Sequence, residues 1–153
     1  MAPVIAILSE KTEELITGNS YPFNFKQFTQ DVLRGILIAL KNLAIEFIIL
    51  LLLILFTNIP IIGWISPFLI FLVESYFFGF SMMDYCNERR KLTIKESASF
   101  IYQHKATAIV NGGVFSMLLL VPVIGLLIAP SYGVIAATIS TIKLREGQLT
   151  HRQ

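Results

Sequence analysis

A single cysteine, Cys86, in 153 residues excludes an internal disulfide and any cysteine-rich metal site. The two histidines, His104 and His151, have no ligand-like spacing to each other, to the cysteine or to carboxylates. Charge is scarce as well. Asp, Glu, Lys and Arg make up 14% of the chain, against roughly 25% in soluble domains, so polar side chains are too few to cover a water-facing surface. The net charge of +2 comes without a dense, aromatic-interleaved basic patch, which argues against nucleic acid as a partner. We find no nucleophile–base arrangement, phosphate-cradling glycine loop or zinc motif, and so expect neither an enzyme nor a cofactor. The start, Met1-Ala2-Pro3-Val4-Ile5, lacks the basic stretch, long apolar run and small-residue cleavage site of a signal peptide.

What the chain has is apolar length. Hydrophobic residues reach 55%, with 12 phenylalanines and a mean hydropathy of +0.72. The expectation is one all-α integral membrane domain over residues 1–153. Residues 3–17 read as an amphipathic helix, with Val4, Ile5, Leu8, Leu15 and Ile16 against Glu10, Lys11, Glu13 and Glu14, stopped by Gly18. After a loop at Asn19-Ser20-Tyr21-Pro22, a second helix begins near Phe25, with Phe25, Phe28, Val32, Leu33 and Ile36 at helical spacing. Residues 1–34 are thus expected to be interfacial helices whose polar side stays in water.

From Gly35 the polarity collapses, and two apolar helical hairpins follow. The first covers 35–83: one arm to Thr57, a break containing Pro60, Gly63 and Pro67, and a second arm from Phe68 to Met83. Residues 84–108 are polar, and Thr93-Ile94-Lys95-Glu96 fits a capping box opening a helix of about four turns toward Thr107. The second hairpin covers 109–142, with arms Ile109–Val121 and Pro130–Ile142 around Pro122 and Gly125. The tail, 143–153, is expected to fray. Ile59-Pro60-Ile61-Ile62-Gly63 matches Val121-Pro122-Val123-Ile124-Gly125, and each is followed by a further proline, which indicates an internal duplication with Pro-x-x-Gly apices.

Length sets depth. Crossing a core of roughly 30 Å takes about 20 helical residues, whereas arms of about 13 residues reach only about 20 Å. The second hairpin is therefore expected to be re-entrant; the first could be re-entrant or spanning. Backbone freed at a shallow apex must be buried in protein or line a wet cavity, which calls for a homo-oligomer or partner helices. Ala129, Gly133, Ala137 and Thr141, spaced four apart, offer a close packing face, either for a partner or for the rest of the chain's own hairpin. Neither apex carries a charge, so all bases share one side, which the positive-inside tendency places in the cytoplasm.

Glu46 and Glu74 interrupt facing arms of the first hairpin at comparable distances from its apex, each roughly 15 Å deep at the helical rise. The sharper reading is a proton-linked gate or pathway; the plainer one is a structural hydrogen bond or a pair with a cation such as Lys41. Asp31 and Arg34 sit one turn apart, as an i,i+3 ion pair or with Arg34 contacting an anion. Arg89, Arg90 and Lys91 read as a headgroup-facing loop or as a patch that concentrates an anionic solute.

The order Asp31-Val32-x-Arg34, Ile59-Pro60-x-Ile62-Gly63, Asp84-Tyr85, Arg89, Leu92-Thr93, Glu96, Val121-Pro122-x-Ile124-Gly125, Pro130 and Ala137-Thr138 resembles the CysZ sulfate permeases. Eukaryotic etoposide-induced membrane proteins share that family. The resemblance runs from Ala2-Pro3 to Leu144. It implies an oligomeric bacterial inner-membrane protein with partly penetrating hairpins that admits sulfate for cysteine synthesis. Two departures are Cys86, where the family often has proline, and Ala136, where glycine is usual. The family's Gly-x-Arg-Arg sulfate-contacting motif lies in a preceding segment with no counterpart here, so the resemblance implies an N-terminally truncated portion or a partner that supplies the missing N-terminal segment. A membrane scaffold without transport is the alternative function.

Overall fold

The structure, a computed structural model, describes residues 2–18, 25–57, 59–121 and 123–150. Six helices account for nearly all of them: α1 (Ala2–Thr17), α2 (Phe25–Phe56), α3 (Pro60–Arg89), α4 (Ile94–Gln103), α5 (Lys105–Leu119) and α6 (Ile124–Thr150). The chain is all-helical, as expected. With 32 and 30 residues, α2 and α3 are about 48 and 45 Å long at the helical rise. Within them, Val32–Phe56 and Gly63–Arg89 are the two segments among the described residues that are long and apolar enough to cross a membrane.

The breaks are shorter than the proline count led us to expect. Only Thr57–Ile59 separates α2 from α3. Pro60 takes the first turn of α3, where a missing N–H has no intrahelical partner to lose. Pro67 and Pro130 lie inside α3 and α6 rather than in loops. Each forfeits a single backbone bond near its helix start, and the apolar residues on both sides carry the helix through. The glycines matter more. Gly63 N–H donates to the Ile59 carbonyl at 2.8 Å, and a Cβ there would sit 2.6 Å from the Thr57 carbonyl oxygen. Gly125 repeats this, donating to Val121 at 2.8 Å, with space for a Cβ closed by the Leu118 oxygen at 2.0 Å. Pro122 lies outside the described residues.

Two boundaries of the second half are corrected. The helix opened at Thr93 does have its capping box, with Glu96 accepting from the Thr93 backbone N–H at 2.8 Å and Thr93 Oγ1 accepting from the Glu96 N–H at 3.3 Å. It ends at Gln103 instead of running on to Thr107. His104 leaves helical geometry (φ −113°, ψ 33°) with its ring Nδ1 bonded to the Phe100 carbonyl at 2.8 Å, and α5 restarts at Lys105. The last arm is 27 residues, about 40 Å, in place of Pro130–Ile142. Its supposedly frayed tail is helical to Thr150, being rich in good helix formers and anchored through Arg145.

The α3 helix is central and packs against each of the other five. Its closest approach is to α5, where the backbones touch. A Cβ on Gly79 would lie 1.8 Å from the Ala108 carbonyl oxygen, and one on Gly112 would lie 1.8 Å from that of Ser75. Small residues four apart on both helices, Ser75/Gly79 and Ala108/Gly112, make this possible. Such contact is what holds helices together where lipid removes the hydrophobic drive. Ala129, Gly133, Ala137 and Thr141 are all buried within the chain. A Cβ on Gly133 would meet Met82 Sδ at 2.9 Å and the Phe115 ring at 3.1 Å, so this ribbon packs on α3 and α5 of its own chain.

The polar residues of α1 divide: Ser9 and Glu13 are at 0% exposure and meet polar partners on α3 and α6, while Lys11 and Glu14 pair at the surface. Among its described apolar side chains, Leu15 is 87% exposed and Ile7 60%.

The packing makes a sharp prediction. Gly79→Ala and Gly112→Ala should each destabilise the fold in detergent by about 1–3 kcal/mol or more, because backbone must move. Gly113→Ala, whose Cβ would meet nothing closer than Ser75 Oγ at 3.5 Å, should be tolerated. Equal unfolding temperatures for the three variants would contradict the α3–α5 contact.

Candidate functional site

The polar residues gather where the hairpin bases converge. The α3 helix stops in a Schellman turn: Leu92 N–H bonds the Asn87 carbonyl at 3.2 Å, Lys91 N–H bonds the Glu88 carbonyl at 2.8 Å, and Lys91 takes the left-handed conformation (φ 57°). This leaves Arg89 in the last turn and Arg90 at the cap, where the helix dipole favours cations. Both turn toward Glu13 of α1. Arg89 Nε donates to Glu13 Oε2 at 3.2 Å, with its NH2 at 3.1 Å from the same oxygen. Arg90 donates through Nε at 3.1 Å and NH2 at 2.8 Å to Oε1. Each carboxylate oxygen is thus held by its own guanidinium. Arg89 NH2 also donates to Ser9 Oγ at 2.6 Å, and Ser9 shares a 2.7 Å hydrogen bond with Thr138 of α6. Cys86 Sγ lies 3.7 Å from Glu13 Oε2.

A second constellation adjoins the first. Arg34 of α2 forks onto Asp84 of α3, NH1 to Oδ2 at 3.3 Å and NH2 to Oδ1 at 3.1 Å, and reaches Glu88 at 3.5 Å. Ser97 of α4 donates to Asp84 and accepts from Asn87 Nδ2 at 3.0 Å. Asn87 Oδ1 in turn accepts from Arg145 NH2 of α6 at 2.8 Å, and the Arg145 guanidinium lies 4.6 Å over the Phe100 ring. Burial, and then the nearby charge of Arg90, push the Arg145 guanidinium below its ordinary range. Four guanidiniums, Arg34, Arg89, Arg90 and Arg145, therefore share this region with three carboxylates, Glu13, Asp84 and Glu88, among the described residues.

Of the residues singled out from sequence, Arg34, Arg89 and Arg90 are brought together here, but with different partners. Arg34 pairs with Asp84 across the first hairpin; the side chain of Asp31, its expected partner, lies outside the described residues. The Arg89 and Arg90 side chains are only 13% and 26% exposed, both turned toward Glu13, while Lys91 in the same turn is exposed. Glu46 and Glu74 lie within electrostatic reach of each other across α2 and α3, and no pair between Glu46 and the exposed Lys41 forms. Above the bases, several buried side-chain atoms lack a partner among the described residues: Asn42 Nδ2 on α2, Ser75 Oγ on α3, Asn111 Nδ2 and Ser116 Oγ on α5, and Thr141 Oγ1 on α6. Ser140 Oγ reaches only the other end of the Asn111 amide, at 3.5 Å. Sequence reasoning missed Glu13, Ser97, Asn111 and Arg145. The spacing of Asp84, Asn87 and Glu88 on one helical face was the available signal for the base cluster.

A family model described as sulfate transporter CysZ/etoposide-induced protein 2.4 matches residues 1–130. No curated protein matches the chain.

The Arg34–Asp84 pair yields a measurable expectation. Asp84→Ala takes the forked partner from a guanidinium that is 15% exposed, leaving it the longer Glu88 contact at 3.5 Å, and should destabilise the chain by up to about 3–5 kcal/mol in detergent. Replacing both partners with apolar residues (Arg34→Met with Asp84→Leu) should recover much of that loss. A double variant no better than Asp84→Ala alone would show that the pair is not the unit.

Proposed function

The chain belongs to the sulfate transporter CysZ/etoposide-induced protein 2.4 family, and we propose that this membrane protein takes part in the passage of sulfate, taken up across the bacterial inner membrane for cysteine synthesis. One observation carries the reading: four guanidiniums, Arg34, Arg89, Arg90 and Arg145, gather in the largely buried base cluster. In a chain with so few charges, such a gathering of arginines favours an anionic visitor, and the planar fork of arginine matches two oxygens of a tetrahedral oxyanion. The unpartnered hydroxyl and amide groups of Ser75, Asn111, Ser116 and Thr141 extend this inward. They are neutral donors, able to solvate an anion without trapping it.

In this reading the first hairpin spans the bilayer, and the second, with α5 at 15 residues and about 22 Å, enters and returns. The basic bases face the cytoplasm. Further helices complete the assembly, from second copies of the chain or from a segment carrying the Gly-x-Arg-Arg motif, and cover apolar side chains of α2 that no other helix meets. Glu46 and Glu74 gate the route by taking up a proton. A non-transporting scaffold is favoured by one fact: every guanidinium of the cluster already has a partner inside the chain, so the network holds the helices without any substrate.

Radioactive sulfate influx into vesicles reconstituted with the protein separates the two. Transport predicts saturable uptake, reduced several-fold in Asn111→Leu, with a pH dependence altered in Glu46→Gln and Glu74→Gln. Uptake equal to that of empty vesicles, in protein that unfolds cooperatively, would favour the scaffold. Unchanged pH dependence in both Gln variants would dispose of the gate.

A further inference from the structure

The α3 helix sets a scale for the bilayer. Trp64 is 91% exposed and stands at the start of the apolar segment Gly63–Arg89, and an exposed tryptophan at the end of such a segment sits at headgroup level. A hydrocarbon core of roughly 30 Å takes about 20 helical residues, which brings the opposite boundary near Met83 and Asp84, where the ion pairs of the base begin. The α5 helix runs antiparallel to α3, with Ala108 against Gly79 and Gly112 against Ser75. Counting back from Ala108, Lys105 is level with Met82, at that same boundary.

What the chain presents there is cationic and aromatic. Lys95, Ser99 and Tyr102, spaced four and three apart on α4, are all exposed. Ser97, on the opposite side of α4, is buried and bonds to Asp84 and Asn87 of α3, so the stripe faces away from the protein. Lys105 is exposed as well and holds its Nζ 5.4 Å from the centre of the Tyr102 ring. Among the described residues no carboxylate pairs with Lys95 or Lys105. Glu96 is folded back onto the Thr93 N–H and hydroxyl, both at 2.8 Å. Ser99 Oγ accepts from Gln103 Nε2 at 3.5 Å and keeps its own O–H to donate. Directly after Lys105 the surface turns apolar: Ala106, Val110, Val114 and Met117 recur every three or four residues of α5, all exposed.

We propose that this outer surface of α4 and α5 binds an anionic phospholipid, its headgroup on Lys95, Ser99 and Lys105 and its acyl chains along Ala106, Val110, Val114 and Met117. A soluble anion has use for the lysines and none for the apolar stripe. A zwitterionic lipid matches the stripe but leaves the lysines without a counter-charge. An anionic lipid matches both, at the depth where headgroup gives way to hydrocarbon. Seated there, it braces the joint at His104, where α4 ends and α5 begins. The surface is independent of sulfate passage, since lipid can bind whether or not an anion crosses.

Heat unfolding of the purified full chain in neutral detergent, with phosphatidylglycerol or phosphatidylcholine of the same acyl chains titrated in, tests the surface. Wild type should gain more stability from phosphatidylglycerol. Lys95→Gln with Lys105→Gln should unfold at the wild-type temperature without lipid, both side chains being exposed, and bind phosphatidylglycerol about tenfold or more weakly. Lys143→Gln, the same charge change at an exposed lysine of α6, should leave that affinity unchanged. Equal stabilisation of wild type by the two lipids, or an undiminished response in the double variant, overturns the proposal. So does glycerol 3-phosphate that stabilises wild type as well as the lipid at constant ionic strength, which would assign the lysines to a soluble anion.

The unaltered chain supplies an independent arm, should the double variant fail to fold. In native mass spectrometry, phosphatidylglycerol should stay bound at collision energies that strip phosphatidylcholine from the protein. Loss of both lipids at the same energy contradicts the proposal.

Discussion

A guanidinium withdrawn from water must be met by a carboxylate or by several good acceptors, and in this chain four of them are withdrawn within one region. Breaking such a pair from one side costs about 3–5 kcal/mol, a large fraction of the stability of a small domain. The rest of the structure is arranged around that requirement. Asp84 and Glu88 bring α2 onto α3 through Arg34. Glu13 brings α1 onto the end of α3. Asn87 and Ser97 carry the same network to α4 and, through Arg145, to α6. Further along the helices the backbones themselves touch at Gly79 and Gly112, so polar ties at the bases and small-residue contacts in the middle together fix the helices.

The helical architecture was legible because it depends on local signals. The long apolar arms and the capping box at Thr93 are properties of short stretches. Proline was the misleading one. Pro67 and Pro130 read as breaks, yet a proline about two turns past a helix start loses a single bond, and the helix continues. His104, with no obvious sequence signal, ended α4 by turning its ring onto its own helix backbone.

The side-chain network was far less legible, for a physical reason. Helical periodicity tells which residues share a face, not which face is inside, and surrounding lipid reverses the sign familiar from water-soluble helices. In α1 the pattern alone did not tell that Glu13 is at 0% exposure while Leu15 is at 87%. Arg145 was missed because a polar tail reads as solvent-exposed unless its partners are known, and Asn87 and Phe100 lie far away in sequence. The small-residue ribbon at Ala129, Gly133, Ala137 and Thr141 was seen as a packing face, and only the fold could show that the chain itself fills it. These failures share one origin, since each depended on a contact between distant segments.

The proposed function draws on the same groups that tie the helices, since the planar fork of arginine that meets a carboxylate also meets a tetrahedral oxyanion. The most direct measurement is anomalous diffraction from crystals of the protein soaked in selenate, a heavier tetrahedral dianion of the same shape as sulfate. The account predicts a selenium peak within the base cluster or among the unpartnered polar groups of Ser75, Asn111, Ser116 and Thr141. Crystals soaked to saturation without a selenium peak at either place would contradict it.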